Sequence, residues 1–484
     1  MTLLKIPVNA PFWSNAEDES KQAIVSYQRR DVMKDALGST IRRPALIEFQ
    51  TGLAGPAIGQ YYWENKDLVY ISAGKNLYSL SENGSLNLIS ANQYGDGKHM
   101  TWAESGNFEL VTAGATRKLF SANGDRIAVY DGSTVSKLNG ANAPVRSSHI
   151  INFDSYTLSN ELNEERYDES VLFSEVADPI NFQGEFFSAE NKPDPIVAIH
   201  SEFDEIAMFG TKSMENFYNN NIDPFVAIPG GNVKQGTLSP WTIKALGESW
   251  LMLNRKKRLV RIDGRIGQEV SQAIDDILRD SPDITNAYSD IIETKDKRLY
   301  LLHINDRTLV YDYDLNEWVG EWGAWNKTTA TYKDFKARNF LFVEPWNMIL
   351  CTDKTQGIIY KLDFDSYRDD GDEIRSSIIT GWYGHGTTRG KRVNELKLRI
   401  KRGTVDKTTK TQVEPKMLVR WADDGSEVFS NWRDVFLGFK GDTEFNYSLY
   451  QMGSYDHDRR YEFLCTDNTP FSIVQAEEDV ELLR

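Results

Sequence analysis

Six histidines are the first residues to examine for metal or acid–base chemistry: His99, His149, His200, His303, His385 and His457. None has a second histidine three or four residues away, the spacing that lets two imidazoles on one face of an element share a zinc ion. Cys351 and Cys465 also lack a nearby cysteine or histidine at zinc spacing. The sequence therefore predicts no metal site, and the two cysteines are interpreted as free thiols in a β core.

The loop from Gly384 to Arg392, GHGTTRGKR, imitates a phosphate-binding loop but fails on spacing. A dinucleotide fingerprint needs G-x-G-x-x-G, and here the third glycine comes one residue late. A P-loop needs a hydroxyl residue to bind magnesium, and Arg392 stands at that place. The loop is therefore interpreted as exposed and basic.

Nucleophilic catalysis has no signature either, because no G-x-S-x-G elbow occurs in the chain. Acid pairs stay open, since two carboxylates can meet in space without any spacing in sequence. The sequence predicts no catalytic, cofactor-binding or metal-binding residue, no cofactor, and a protein that is not an enzyme.

Two other clusters could be mistaken for functional motifs. The triplet Asp423-Asp424-Gly425 resembles part of the Asp box of sialidase-type propellers, but even a complete box is a hairpin-turn device. The densest basic run, Asn254 to Arg265, places Arg255 to Arg258 in a turn and has no interleaved aromatic residues on which bases could stack. A solvated turn or an ion-pair rim is favoured there over contact with DNA.

Bulk composition excludes several classes of protein. The chain has 484 residues, 12% of them aromatic, and a net charge of −16. Such acidity argues against tight wrapping of DNA, because that binding needs Lys and Arg to displace counterions. No apolar run approaches a signal peptide or the roughly 20 residues needed to cross a bilayer. We expect synthesis in a reducing cytoplasm and no membrane span.

Pairs of apolar strands separated by a polar turn recur along the middle of the chain. They start at Leu68, Phe108, Glu205, Ser249, Arg298 and Met348. Successive starts lie roughly 40 to 50 residues apart, apart from one double gap, and this period is typical of a β-propeller with about four strands per blade. The sequence predicts an all-β fold with six or seven degenerate blades; stacked β-sandwich domains are the alternative.

Three regions are expected. Residues 1–60 form an N-terminal arm and a first strand, residues 61–374 form the propeller, and residues 375–484 form a β-sandwich-like domain with longer strands. Inside the propeller, a short helix is expected after Gly267, where apolar residues recur at helical spacing.

The double gap contains the segment from Ser170 to Tyr218, which reads as one blade-sized unit. A strand ends before the turn at Asp178-Pro179, and Gly210 to Ser213 is a tight turn between two further strands. The carboxylates Glu190, Asp194 and Glu215 are interpreted as turn and packing groups.

Several stretches of the chain, taken in order, resemble a known family. FSAENKPDPIVAI followed by FGTKSMENF, the early LVYISAGKNLYSLSENGS and the late RTLVYDYDLNEWVGEW are similar to the packaged-DNA stabilisation, or tail hub (nozzle), proteins of short-tailed bacteriophages. PFWSNAEDES in the N-terminal arm is only loosely similar, which leaves the upper attachment open.

The resemblance implies a structural virion protein. It implies a homo-oligomer, a ring of six copies, at the distal end of a short tail below the portal and adaptor. Such a ring extends the DNA channel, helps to retain packaged DNA, and carries a needle or plug and fibres or tailspikes, while DNA passes without sequence-specific binding. An acidic lining would let DNA slide. A glycan-binding or glycan-cleaving propeller is the alternative function.

Overall fold

The structure is a computed structural model that describes residues 2–14, 26–106, 117–162, 170–189, 194–220, 222, 224–409, 412–442 and 446–483. Strands dominate it, as the abundance of aromatic and β-branched residues predicts. The one α-helix among the described residues is Asp275–Asp280. It directly follows the 3-10 turn Gln272–Ile274, so the predicted helix is present in a shorter form.

The middle of the chain forms a ring of seven four-stranded antiparallel units. Six are separate sheets, and the unit called blade 6 is the start of a ten-stranded sheet. The strands of blades 1 to 4 are Ala57–Trp63, Leu68–Ala73, Asn76–Leu80 and Leu86–Ser90; Thr101–Glu104, Leu119–Ala122, Ala128–Tyr130 and Val135–Lys137; Ile150–Phe153, Tyr156–Asn160, Ser170–Phe173 and Phe186–Ser188; and Ile196–His200, Ile206–Gly210, Met214–Tyr218 and Val226–Val233.

The strands of blades 5 to 7 are Lys244–Leu246, Ser249–Leu253, Leu259–Asp263 and Ile266–Glu269; Tyr288–Glu293, Arg298–Ile304, Arg307–Asp312 and Glu317–Asn326; and Ala337–Val343, Met348–Asp353, Ile358–Asp363 and Ala45–Thr51. Thr331–Asp334 adds to the last strand of blade 6, and Glu64–Lys66 and Pro240–Thr242 are 3-10 turns. The predicted all-β fold with a propeller is confirmed.

Blade 7 closes the ring with a strand from the N-terminal part of the chain. Ala45–Thr51 pairs antiparallel with Ile358–Asp363, more than 300 residues away. An apolar cluster fills each of the seven spaces between successive blades, including the space between blades 7 and 1. Closure therefore removes apolar surface from water all around the ring, and it leaves only the outer strands as edges.

The remaining strands form a β-sandwich. One sheet contains Val32–Lys34, Thr40–Arg42, Ser472–Leu482, Lys391–Ile400 and Asn446–Tyr450. Thr2–Ile6 also pairs with Ser472–Leu482, and Ser454–Tyr455 also pairs with Lys391–Ile400. The facing strands are Ser26–Arg30, Ser376–Thr380, Arg459–Cys465, Lys416–Asp423 and Arg433–Phe436. Leu396, Leu398 and Ile473 from one sheet pack against Met417 and Phe463 from the other in a single core.

The sequence predicted that residues 1–60 form an N-terminal arm and a first strand. In the structure, the described residues of this range contribute strands to the sandwich, and Ala45–Thr51 is a strand of blade 7. Thr2–Ile6 pairs with the last long strand of the chain, and Ser26–Arg30 lies between blade 6 and the sandwich. After blade 7 the chain forms a small hairpin, Arg368–Asp369 and Asp372–Glu373, and enters the sandwich at Ser376–Thr380.

The segment from Ser170 to Tyr218 spans two blades instead of one. It supplies the last two strands of blade 3 and the first three strands of blade 4. The hairpin predicted from Phe108 lies partly in residues 107–116, outside the described part of the chain.

Blade 6 and the sandwich share one continuous sheet. Ser26–Arg30 pairs in parallel with the last strand of blade 6, at Arg30 and Glu321, and antiparallel with Ser376–Thr380. Gly320 permits this approach: its φ is +139°, and a Cβ there would lie 2.5 Å from the carbonyl oxygen of Arg29. A side chain at this position would push the two domains apart.

Buried charged side chains bind one another where the chain passes between the sandwich and the propeller. Arg43, at the entry to the propeller, donates Nε to Asp31 Oδ1 at 2.7 Å and both Nη atoms to the Asp369 carboxylate at 3.0 and 2.6 Å. Asp31 follows the shared strand, and Asp369 lies at the exit from the propeller. We call these three residues the junction network. Because it joins entry, exit and shared strand, it determines how the sandwich sits on the propeller.

Two further buried arginines support the same junction through backbone carbonyls. Arg29 donates to the carbonyl oxygens of Val319 and Ala10, both at 2.9 Å. Arg42 donates to the carbonyl oxygen of Ile374 at 2.7 Å and to that of Thr469 at 2.9 Å. The planar guanidinium with its five donors suits this role, because it can satisfy several carbonyls at once.

Replacing Arg43 by alanine is expected to lower the free energy of unfolding by about 3–5 kcal/mol, because two buried carboxylates lose their partner. Arg43→Lys should lose part of that amount, since an ammonium cannot bind Asp369 with a fork. Urea titration of the purified protein measures both. As a control, Lys440→Ala removes an exposed pair with Asp406 at 3.2 Å and should change stability by less than about 1 kcal/mol. Equal losses for Arg43→Ala and Lys440→Ala would contradict the role given to the junction network.

Candidate functional site

The propeller axis contains a continuous stack of five aromatic rings. His149 stacks on Trp241 with centroids 4.8 Å apart, and Trp241 stacks on His99 at 4.9 Å. His99 then contacts Tyr288 at 4.8 Å, and Tyr288 stacks on His303 at 4.5 Å. We call these five residues the axial ring stack.

The first strands of the blades position these rings. They contact one another around the axis, so side chains at their ends meet in the centre. His99 and His149 directly precede the first strands of blades 2 and 3, and Tyr288 begins that of blade 6. Trp241 lies in the 3-10 turn before blade 5, and His303 is the cross-strand partner of Tyr288.

The stack closes the axis. His99 belongs to blade 2 and Trp241 to blade 5, so the two rings come from opposite sides of the propeller, and yet their centroids lie 4.9 Å apart. Such contact is only possible where no open channel separates the blades. A duplex therefore has no path along the axis of a single propeller.

Charged groups surround the stack. Arg338 of blade 7 lies over Tyr288 at 5.2 Å, and one of its Nη atoms is 3.1 Å from His99 Nδ1. Lys354 binds Asp334 at 2.5 Å. Asp290 Oδ2 is 3.0 Å from His303 Nε2. Charged groups thus lie against three of the five rings, those of His99, Tyr288 and His303.

Burial keeps the axial imidazoles neutral. Burial first, and nearby cations second, lower the pKa of His99 to about 2, of His200, whose ring lies 5.7 Å from that of His149, to about 3, and of His303 to about 4. The pKa of His149 is also well below its usual value, again mainly through burial. Such groups do not exchange protons near neutral pH, so they are poor candidates for general acid–base catalysis.

Metal chemistry finds no support in the described residues, which contain no group of three or more His, Cys, Asp or Glu side chains able to hold an ion. Within the same residues, no helix combines the length and apolar character needed to span a membrane.

The Asp423-Asp424-Gly425 triplet is a structural turn. Asp424 accepts hydrogen bonds from the backbone N–H groups of Asp456, His457 and Asp458. These bonds lower its pKa although burial raises it. The carboxylate therefore binds backbone N–H groups of the chain, as expected if the triplet serves as a hairpin-turn device.

The loop from Gly384 to Arg392 is only partly exposed. Arg389 and Arg392 are exposed, but Lys391 is buried and donates its amine to the carbonyl oxygens of Thr387, Arg389 and His457 at 2.7 to 2.9 Å. The side chain of His385 is also buried, 2.5 Å from Glu478. The expectation of an exposed basic loop thus holds for its arginines and not for Lys391, whose amine donates to three backbone carbonyls.

The basic run at Arg255 forms ion pairs within the chain. Arg258 pairs with Asp275 of the helix, and Lys257 donates to the carbonyl oxygen of Ser281 at 2.5 Å. A surface cleft of about 510 Å³ lies here, and its lining includes Trp13, Lys257, Arg258 and Asp275. Its mixed charges do not form a continuous basic surface for nucleic acid.

The carboxylates of the central segment lie in different environments. Asp194 accepts hydrogen bonds from the backbone N–H groups of Thr211, Lys212 and Ser213 at 2.8 to 2.9 Å, which confirms its role in the tight turn. Glu215 is buried in the third strand of blade 4. Glu190 lies outside the described residues.

Comparison with known proteins identifies the family. Residues 29–367 match the family model described as "Bacteriophage P22 Gp10, beta-propeller", a phage stabilisation family. The chain belongs to this family. The match begins at the strand shared with the sandwich and ends just after blade 7, so it covers the whole propeller. No curated protein matches the sequence.

Solved structures resemble this phage stabilisation protein only at the level of general shape. The extracellular domain of a one-component system from B. thetaiotaomicron has a TM-score of 0.44 at 11% identity, and the match covers 75% of this chain and 45% of that one. The designed protein Ika8 has a TM-score of 0.40 at 11% identity, covering 66% of this chain and 100% of that one. The N-terminal domain of Nup159 has a TM-score of 0.39 at 8% identity, covering 70% and 99%.

Sequence reasoning missed the axial ring stack because its rings come from different blades. A signal was present: His99 and His149 are 50 residues apart, close to the repeat period that revealed the blades, and both directly precede a first strand. Side chains that recur with the blade period occupy similar places in successive blades. Histidines that look isolated in sequence can therefore meet on the axis.

The axial histidines make a prediction about acid. In the unfolded chain these histidines have a pKa of about 6.5, so they bind protons below that pH, whereas the buried histidines of the folded protein do not. The free energy of unfolding must therefore fall as pH decreases from 6.5 towards 4. Each of the four histidines contributes up to about 1.4 kcal/mol per pH unit. Urea titrations at pH 7, 6, 5 and 4.5 measure this slope, to which nearby carboxylates also contribute below about pH 5.

The variant His303→Gln isolates one of these contributions. Its slope between pH 6 and 5 should be smaller than that of the wild type by about 1.4 kcal/mol per pH unit. If His303→Gln and the wild type lose stability equally with acid, the axial histidines are not the cause.

Proposed function

We propose that the chain is the tail hub, or nozzle, subunit of a short-tailed bacteriophage. Membership of the phage stabilisation family, over residues 29–367, is the observation that carries this proposal and implies a virion component. In the proposed role, copies form a closed ring at the distal end of the tail, below the adaptor and portal. The ring extends the DNA channel, helps to retain packaged DNA and carries a needle or plug and fibres or spikes.

The closed axis supports a channel between copies. Since the axial ring stack fills the centre of each propeller, DNA has to pass through a space that several copies enclose. A ring of identical copies with head-to-tail contacts provides such a space when its rotation closes, and six copies is the number that we propose.

The rigid junction supports a mechanical role. The sandwich and blade 6 share one sheet, and the junction network fixes both chain crossings. Force applied to the sandwich by an attached partner would therefore pass into the propeller without a flexible linker. A net charge of −16 keeps the number of phosphate contacts low, which suits a passage that DNA must leave.

The proposal is tested with the phage that encodes the chain. When the chain is absent, heads should package DNA but lose it, and the particles should lack the distal ring; supplying the wild-type chain from a plasmid should restore both. Light scattering of the purified protein, alone and with tails that lack it, should find a species of six copies in at least one case.

Two results would contradict the proposal. Particles that retain DNA and remain infectious without the chain would exclude the retention role. A protein that stays monomeric, binds glycans and never joins tails would favour the alternative of a glycan-acting propeller.

A further inference from the structure

Three asparagines of the propeller directly precede a glycine: Asn83, Asn123 and Asn139. In such a pair the backbone nitrogen of the glycine can attack Cγ of the asparagine side chain, because glycine has no Cβ to hinder the approach. The attack closes a five-membered ring and releases ammonia. Water then opens the ring, and the asparagine becomes aspartate or isoaspartate. Water is the only co-reactant, so the local structure decides which of the three pairs reacts.

Hydrogen bonds hold the glycine nitrogen in two of these pairs. Gly84 N–H donates to the carbonyl oxygen of Ser81 at 2.9 Å, and Gly124 N–H donates to that of Ser147 at 2.7 Å. Gly140 N–H, by contrast, makes no hydrogen bond within the described residues. The nitrogen must lose its proton and move towards Cγ, so a hydrogen bond that has to break first slows the attack by about five- to tenfold.

The side chains of the three asparagines also differ. Asn123 is buried, and Asn83 Oδ1 accepts hydrogen bonds from two groups of its own turn. Asn139 is exposed, and its Oδ1 accepts a hydrogen bond from Arg126 Nη1 at 2.8 Å. A guanidinium in this position draws electrons from the amide carbonyl and stabilises the negative charge that Oδ1 acquires during the attack. Of the three pairs, the one at Asn139 therefore combines a free nucleophile with an activated carbonyl.

We propose that Asn139 is a site of spontaneous deamidation in the folded protein and that Arg126 activates its side-chain amide. The first step forms a bond between Gly140 N and Asn139 Cγ. It breaks the bond between Cγ and Nδ2, which leaves as ammonia with the proton of the glycine nitrogen. Water then adds to one of the two ring carbonyl carbons and breaks its bond to nitrogen. The site is independent of the virion role proposed above.

The two products have different consequences for the loop. Aspartate at position 139 places a carboxylate beside Arg126 Nη1, so the hydrogen bond becomes an ion pair. Isoaspartate adds a methylene group to the main chain, three residues before Asn142, whose Nδ2 donates to the carbonyl oxygen of Gln183 in blade 3 at 3.0 Å. We expect aspartate to leave the melting temperature unchanged and isoaspartate, which shifts a contact between blades 2 and 3, to lower it.

Incubation of the purified protein in water labelled with oxygen-18, at mildly alkaline pH, tests the site. Each hydrolysis incorporates one heavy oxygen, and mass spectrometry of the digested protein gives the rate at each asparagine. In the folded wild type, Asn139 should react about five- to tenfold faster than Asn83 or Asn123. In concentrated urea the three rates should be similar, because each asparagine is followed by glycine and the local structure is lost.

Variants of Arg126 separate its role from that of the free glycine nitrogen. Arg126→Met should slow the reaction at Asn139 several-fold and leave the rate at Asn83 unchanged. Arg126→Lys should restore part of the rate, since an ammonium also donates to Oδ1. Lys440→Met, at an exposed lysine of the sandwich, is the matched control and should leave all three rates unchanged.

Several results would overturn the proposal. One is a folded wild type in which Asn83 or Asn123 reacts as fast as Asn139, or in which Asn139 incorporates no heavy oxygen. Another is an equal lead of Asn139 in urea, because the fold would then not select the site. A rate at Asn139 that Arg126→Met leaves unchanged would contradict the activation by the guanidinium.

Discussion

The ion pairs of Arg43 with Asp31 and Asp369 are the contacts on which the arrangement of the two domains depends. Arg43 stands where the chain enters the propeller, Asp369 stands where it leaves, and Asp31 follows the strand that joins blade 6 to the sandwich. A buried carboxylate without a partner is costly, so these three groups are stable only together. Their distances therefore fix entry, exit and shared strand relative to each other.

The ring closure and the axis build on that constraint. Ala45–Thr51 follows Arg43 within two residues and completes blade 7, so the junction network also sets the register in which the propeller closes. Closure brings the first strands together, and the axial ring stack then fills the centre with imidazoles that burial keeps neutral. The result is a solid, two-domain block. The centre of the propeller contains no open passage.

Much of the propeller could be predicted from sequence, because each blade is local. The strand pairs at Leu68, Glu205, Ser249, Arg298 and Met348 all lie within blades, and their period indicated the ring. The segment from Ser170 was harder, because the boundary between blades 3 and 4 falls inside it and residues 190–193 carry no strand signal.

The N-terminal strands and the junction could not be predicted in the same way. Thr2–Ile6 and Ala45–Thr51 pair with strands more than 300 residues away, and no local pattern reports such partners. Arg29, Arg42 and Arg43 look like ordinary surface arginines in sequence, because their burial depends on carboxylates and carbonyls supplied by distant parts of the chain. The axial histidines failed the zinc-spacing criterion, and their blade-like spacing became meaningful only once the ring was known.

The axis of each propeller is closed, and we therefore propose that DNA passes between copies. A cryo-EM map of the DNA-filled particle, at a resolution that shows side chains, tests it most directly. We expect side-chain density for Trp241 and its stacked histidines on every propeller axis, with DNA density confined to a passage enclosed by several copies. DNA density running along the axis of any single propeller would contradict it.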